Sequence, residues 1–271
     1  MQGMTAVPSL AQQADKYVLY QSAVLNAHHE AMMLARVYRD AYGQDANVLR
    51  EDFCGTGAIC HAWTRTDPAR LAWGVDLDPE PLAWGRIHNG ALLTAQERHR
   101  VELLEGNAVV SGNTPLADVV SAGNYSFFCF RKRHDLREYF RAAARNLQPR
   151  GVLLMDVKGG PEVVTHGHRH SRVLEEGATY EWEVVRFDAL THEGEYRIHF
   201  HFPDGSSLQP AFEYAWRIWM PAELRDLVLE AGFKRTAFYV GLTDEEGSLQ
   251  FHKEAPAPAT PRVFGYLAAI K

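Results

Sequence analysis

The chain has 271 residues, enough to bury a full core as one large domain or one domain with a sizeable insertion. Hydrophobic residues make up 46% and charged residues 23%, which excludes disorder as the main state. The formal net charge of −6, from 28 Lys and Arg against 34 Asp and Glu, argues against a nucleic-acid backbone as the main partner.

No apolar run approaches the ~20 residues needed to span a bilayer. The opening MQGMTAVPSL lacks the basic end and apolar core of a signal peptide, so a cytoplasmic protein without membrane attachment is expected. Cys54, Cys60 and Cys129 cannot all pair and follow no metal-ligand spacing, which fits a reducing compartment.

Residues 11–41 read as one helix, with Tyr17, Tyr20, Val24, Met32, Leu34 and Tyr38 roughly on one face and Gly43 ending the run. Short apolar runs follow at 47–51, 71–75, 101–105, 118–122 and 152–156. Stretches with helical spacing lie between them at 58–66, 80–95 and 133–147. That alternation predicts a parallel sheet covered on both faces. Residues 179–219 change character: EWEVVRF, YRIHFHF and FEYAWRIW, separated by THEGE and PDGS, predict an antiparallel meander. Pro221 opens a further helix that stops at Gly232. Two last strands, 234–241 and 263–271, flank the Pro-rich loop APAPATP and are expected to pair antiparallel at an edge.

The strongest chemical signal is VLREDFCGTG, residues 48–57. An apolar strand ends in Glu51, and a turn holding Gly55 and Gly57 leads into a helix. Glycines there let a ligand approach the backbone. Asp76 ends the second strand, nineteen residues beyond Gly57, where a carboxylate can accept ribose hydroxyls. A carboxylate at the turn would repel a pyrophosphate and suits a nucleoside cofactor that carries an amino group.

In these motifs the chain resembles the class I (seven-stranded Rossmann-like) S-adenosylmethionine-dependent methyltransferases, in a bacterial branch acting on small molecules. Glu51-Asp52-Phe53-Cys54-Gly55-Thr56-Gly57 matches the family's acid and G-x-G-x-G, with Phe53 replacing the first glycine. Gly106-Asn107-Ala108 resembles G-D-A, and Leu147-Gln148-Pro149-Arg150-Gly151 resembles L-x-P-G-G. The similarity covers about residues 45–160 and 221–271. It implies a doubly wound α/β fold with a mostly parallel seven-stranded sheet and an antiparallel last strand. The expected organisation is an N-terminal helical cap (1–44), a cofactor-binding core (45–160), an inserted β-meander lid (161–220) and the completion of the core (221–271).

The resemblance implies S-adenosyl-L-methionine as cofactor, held by Glu51, Cys54, Gly55 and Gly57 at the turn and by Asp76 on the ribose. Leu77 would cover the adenine, and Asn107 and Ala108 would line its edge. Tyr20 and Arg36 of the N-terminal helix are expected to close over the cofactor. Methyl transfer is an in-line displacement, so the enzyme aligns the partners and excludes water. Asn124 and Tyr125, after the fourth strand, are the expected residues nearest the methyl. Tyr180, Trp182, Trp216 and Arg217 of the meander are the expected substrate contacts. Aromatic walls favour amines, so a nitrogen acceptor on a small molecule leads.

A protein or RNA methyltransferase is the alternative; DNA is disfavoured because Asn124-Tyr125 lacks the prolines of the DNA amino-methyltransferase motif. A nicotinamide oxidoreductase is opposed by Glu51 and Cys60. An oligomer is possible. No metal is expected. His166, His168 and His170 have no carboxylate or thiol at ligand spacing and read as a polar loop, while His199 and His201 read as a solvated sheet face. Arg131-Lys132-Arg133-His134 reads as a helix start on a solvated surface.

Overall fold

In the computed structural model, residues 7–244 and 246–271 are described. The first six residues, on which the signal-peptide reading and the start of the 1–44 segment partly fall, lie outside them.

The expected single N-terminal helix is three: α1 (Leu10–Gln13), α2 (Lys16–Val24) and α3 (Ala27–Tyr42). The breaks have a local cause. The Asp15 side chain accepts the Tyr17 and Val18 amides, and the Asn26 side chain accepts the His29 amide, so each starts a new helix. Gly43, left-handed at φ 67°, closes α3 as expected.

The alternating segment gives β1 (Val48–Asp52), α4 (Ala58–Thr66), β2 (Leu71–Asp76), α5 (Pro79–Ala91), the short α6 (Ala95–Arg98), β3 (Val101–Glu105), β4 (Ala117–Ala122), α7 (Arg133–Asn146) and β5 (Leu147–Gly159). Four strands follow, β6 (Arg169–Val173), β7 (Thr179–Phe187), β8 (Glu193–His201) and β9 (Ser207–Arg217). The chain ends with α8 (Pro221–Glu230), β10 (Arg235–Thr243), β11 (Leu249–Lys253) and β12 (Val263–Ile270).

The chain divides into two compact units, with the boundaries after Leu25, Val163 and Ile218. The larger unit holds a sheet of order β11-β10-β12-β5-β4-β1-β2-β3. β1 to β5 run parallel, and β12 is antiparallel to both β5 and β10. Eight strands are present rather than seven. The Asp244 side chain accepts the Ser248 amide and turns the chain back, so that β11 adds to β10. β10 and β12 pair antiparallel as expected, but β11 is the edge and β12 lies inside the sheet. α3 belongs to this unit and contributes Ala31, Leu34, Ala35 and Val37 to its core.

The smaller unit is the antiparallel sheet β6-β7-β8-β9 with α1 and α2. Leu19 and Ala23 of α2 pack against Tyr180, Ile198 and Phe200 on one face of that sheet. The other face is a ladder of charges: Arg169 pairs with Glu181 and Glu183, and Arg197 with Glu213 at 2.9 Å.

Two histidine readings are corrected here. His170 lies on a strand, opposite Trp182, because Glu181 and Glu183 neutralise the neighbouring Arg169 and let β6 pair with β7. His199 is buried rather than solvated, its Nε2 2.9 Å from Glu183 Oε2. Among the described residues no helix is long and apolar enough to cross a membrane.

Candidate active site

The site is built at the carboxyl ends of β1, β2, β4 and β5, in the larger unit. Alternation along β1 sends Arg50 and Asp52 to one face and Glu51 to the other. Arg50 and Asp52 are fully buried and bonded to each other, Arg50 Nε donating to Asp52 Oδ1 at 2.7 Å. The Tyr139 hydroxyl donates to Asp52 Oδ2 at 3.1 Å, and Arg50 Nη1 donates to Asn113 and Thr114. This network supports the corner from below, although Arg50 Nη2 is buried without a hydrogen-bond partner.

Phe53 replaces a family glycine yet keeps a left-handed backbone, φ 58°. Its ring lies 5.2 Å from Tyr139 and 6.0 Å from Phe130, and that aromatic packing holds the strained conformation. Gly57, φ 64°, has no room for a side chain: a Cβ would stand 2.5 Å from Leu103 Cδ2. At Gly55, φ 53°, nothing lies within 4 Å of the equivalent point, so the turn is open there. Cys54 is buried beside it.

Glu51 is 5% exposed and its Oε2 accepts the Cys60 amide at 3.0 Å, in the first turn of α4. Burial pushes its carboxyl up to about 7, with the Asp76 and Asp52 charges adding to the rise and the Cys60 bonds opposing it. Asp76 uses one oxygen to accept the Gly55 amide at 2.7 Å and the other to accept the Asp78 amide at 2.9 Å. The ribose-binding expectation is thereby refined: each oxygen keeps one lone pair for a ligand, and the carboxylate also ties the glycine turn to β2. Asp78, not Asp76, caps α5. Leu77 is 66% exposed next to Asp76. The Asn107 side-chain oxygen accepts the Val109 amide at 3.0 Å, and Ala108 is buried.

Asn124 and Tyr125 follow β4 as two consecutive left-handed residues, φ 52° and 57°. Such a pair is costly for side-chain-bearing residues. Asp156, near the end of β5, offsets it by accepting the Asn124 and Tyr125 amides. Lys158, two residues on and on the same face, is 9% exposed, with its ammonium 4.3 Å from the Tyr125 ring centroid. Burial lowers that lysine to about 7. Tyr266 of β12 stands directly opposite Asp156, and its hydroxyl donates to Glu30 Oε1 of α3 at 2.7 Å. Burial raises Glu30 and Asp156 above the usual carboxylate range, and for Glu30 the charges of Asp156 and Glu51 add to the rise.

Glu30, Asp156, Lys158 and Tyr266 were missed from the sequence. Asp156 had a usable signal, since it lies near the end of its parallel strand as Glu51 and Asp76 lie near theirs. Glu30 and Tyr266 had none. Lys158 also lines a cavity of about 330 Å³ at the carboxyl end of β5, walled by Pro221, Phe238, Val263 and Phe264, with Arg225 and Glu254 in its lining.

The other predicted residues have these local surroundings. Arg36 is exposed on α3, 3.9 Å from Asp40 and 5.7 Å from the Tyr239 ring, so its contacts are with its own helix and β10. Tyr20 belongs to the smaller unit, where its ring packs on Phe212 at 5.0 Å. Trp182, Tyr196, Tyr214 and Trp216 form a ring cluster on one sheet face, with Tyr214 and Trp216 4.4 Å apart. Tyr180 is core there, and Arg217 ends β9 half-buried. Arg133 starts α7 and pairs with Glu230. Among the described residues no group of three or more His, Cys, Asp and Glu is arranged to hold a metal ion.

No family model and no curated protein matches this sequence. Solved structures do. The amino pentose methyltransferase CalS10 from Micromonospora echinaspora, of calicheamicin biosynthesis, is similar at TM-score 0.66 and 20% identity, over 97% of this chain and 99% of that one. The CcbJ methyltransferase from Streptomyces caelestis gives 0.65 and 19%, over 91% and 90%. The sugar N-methyltransferase KedS8 from Streptoalloteichus sp. gives 0.61 and 21%, over 98% and 97%. With the strand order and the β1 corner, these likenesses show that the chain has the α/β fold of S-adenosylmethionine-dependent methyltransferases.

Proposed function

We propose that the protein is an S-adenosylmethionine-dependent methyltransferase acting on a nitrogen of a small molecule. One observation carries the reading: an open glycine turn tied to the Asp76 carboxylate, with Glu51 buried beside it and, among the described residues, no basic residue paired to either. That donor set suits a nucleoside bearing positive charge and repels a diphosphate, which disfavours a nicotinamide cofactor. Asp76 would hold the ribose through its remaining lone pairs. Leu77, Asn107 and Ala108 would border the adenine, and Glu51 would face the amino-acid end. S-adenosylmethionine, when bound, supplies a methyl group activated by its sulfonium.

The chain's own residues then align and exclude water. Asp156 fixes the Asn124–Tyr125 backbone where the fourth strand ends. Trp182 and Trp216 of the meander are the proposed amine contacts, since aromatic rings attract a cation. The amino-sugar and sugar N-methyltransferases of the same fold support a nitrogen acceptor.

The test is calorimetric. S-adenosylhomocysteine is expected to bind in the micromolar range and NADH not at all, with Asp76→Ala abolishing the first. Diphosphate-cofactor binding, or unchanged affinity in the variant, overturns the assignment. Small-molecule extracts treated with methyl-labelled donor then reveal the acceptor. Trp216→Ala is expected to spare donor affinity and to lower turnover.

A further inference from the structure

We propose that Glu30 is a specificity-determining residue of this site: together with Glu51 and Asp156 it forms a carboxyl wall that senses the net positive charge of the methyl donor and releases a proton to solvent when that charge arrives. The inference rests on the methyl-donor reading above and deepens it.

The geometry is specific. Glu30 comes from α3, outside every motif of the strand–turn–helix corner, and is held in place by the Tyr266 hydroxyl at 2.7 Å. Tyr266 in turn stands opposite Asp156 across the β5–β12 pair. The groups that act on Glu30 are Tyr266 from β12, Asp156 from β5 and Glu51 from β1; behind them, Lys158 of β5 acts on Asp156, Tyr125 of the loop after β4 on Tyr266, and Asp76 of β2 on Glu51. His29 adjoins it on α3, with its ring 5.4 Å from Phe251. Among the described residues none of Glu30, Glu51, Asp76 and Asp156 makes an ion pair with a basic side chain, and Lys158 is the one ammonium whose charge acts on Asp156.

Carboxyls that outnumber the ammonium beside them resolve the excess charge in one of two ways: they retain a proton or they accept a cation. Burial raises Glu30, Glu51 and Asp156 above the usual carboxylate range, and the charges of Asp156 and Glu51 raise Glu30 further, so Glu30 is the member of the wall that retains a proton at neutral pH. S-adenosylmethionine carries an ammonium, a sulfonium and a carboxylate, a net charge of about +1 at neutral pH, whereas S-adenosylhomocysteine carries no net charge. The donor therefore displaces a proton from the wall that the spent product does not, and product release follows from the same difference.

The experiment is titration of the intact protein with S-adenosylmethionine and with S-adenosylhomocysteine at pH 7, in two buffers of different ionisation enthalpy. Donor binding is expected to release at least about half a proton more than product binding. Glu30→Gln keeps an acceptor for Tyr266; it is expected to remove most of that difference and to weaken the donor roughly tenfold, with the product weakened less than about threefold. Tyr266→Phe removes the bond that favours ionised Glu30, and is expected to move the pH of greatest release upward. Equal proton counts for the two ligands in the native protein overturn the proposal while leaving the methyl-donor reading intact. A Glu30→Gln protein that keeps the native proton count and donor preference overturns it too. If neither ligand binds, the methyl-donor reading fails and this one falls with it.

Discussion

Glu51→Gln is a substitution that should stabilise the ligand-free protein at alkaline pH and harm it as an enzyme. The glutamine oxygen can still accept the Cys60 amide, so the first turn of α4 keeps its cap. What disappears is the titration. Burial lifts the carboxyl from 4.5 to about 7 in the folded protein. A carboxyl raised on folding contributes stability that is fully present below about 4.5 and is lost as pH climbs through about 7. Two and a half units correspond to about 3 kcal/mol between the two limits. The variant should therefore exceed the native protein by a little under ~1 kcal/mol at pH 5 and by about 3 kcal/mol at pH 8.5. For a chain of this length that is a melting shift of roughly 6–12 °C. Differential scanning calorimetry of the ligand-free proteins at the two pH values measures it. An offset that does not change between pH 5 and pH 8.5 refutes the claim that Glu51 titrates in this window. The same variant should bind the methyl donor more weakly, because the carboxyl that costs stability is the one proposed to meet the cofactor's charge.

The corner gives two further tests. Asp52→Ala leaves the fully buried Arg50 without its ion partner and the Tyr139 hydroxyl without its acceptor, and should cost about 3–5 kcal/mol in urea unfolding. Replacing Arg50 and Asp52 together by apolar residues should recover most of that loss. Gly57→Ala meets both a left-handed backbone and Leu103 Cδ2 at 2.5 Å, and should cost about 2 kcal/mol or more with a clear loss of donor affinity. A Gly57→Ala protein with native stability would mean that the turn relaxes freely, contrary to the geometry described.

The fold was legible because its signals are local and repeated. Continuous apolar runs alternating with helical spacing announce a buried parallel sheet wherever they occur, and all five parallel strands overlap their predicted runs. The glycine turn and the acids at Glu51 and Asp76 were equally visible, since steric freedom and charge at a strand end are properties of single residues. What misled were places where a polar side chain took a structural task. Asp15 and Asn26 cut one predicted helix into three. Glu181 and Glu183 neutralised Arg169 and made β6 a strand. Asp244 folded β11 back onto β10 as the eighth strand.

What the sequence determined by itself was the kind of site: a strand-tip carboxylate, an open glycine turn and a second carboxylate one strand away. The company that site keeps was decided only in three dimensions. Glu30 and Tyr266 lie 236 residues apart yet share a hydrogen bond, and Tyr266 meets Asp156 only because β12 inserts antiparallel beside β5. Tyr20 and Arg36 looked like neighbours on one helix, and the break at Asn26 assigned them to different units. Charge and conformational preference act over a few residues and can be read along the chain. Which carboxyls lack a countercharge depends on what the packed sheet brings within reach, and no spacing in the sequence encodes that.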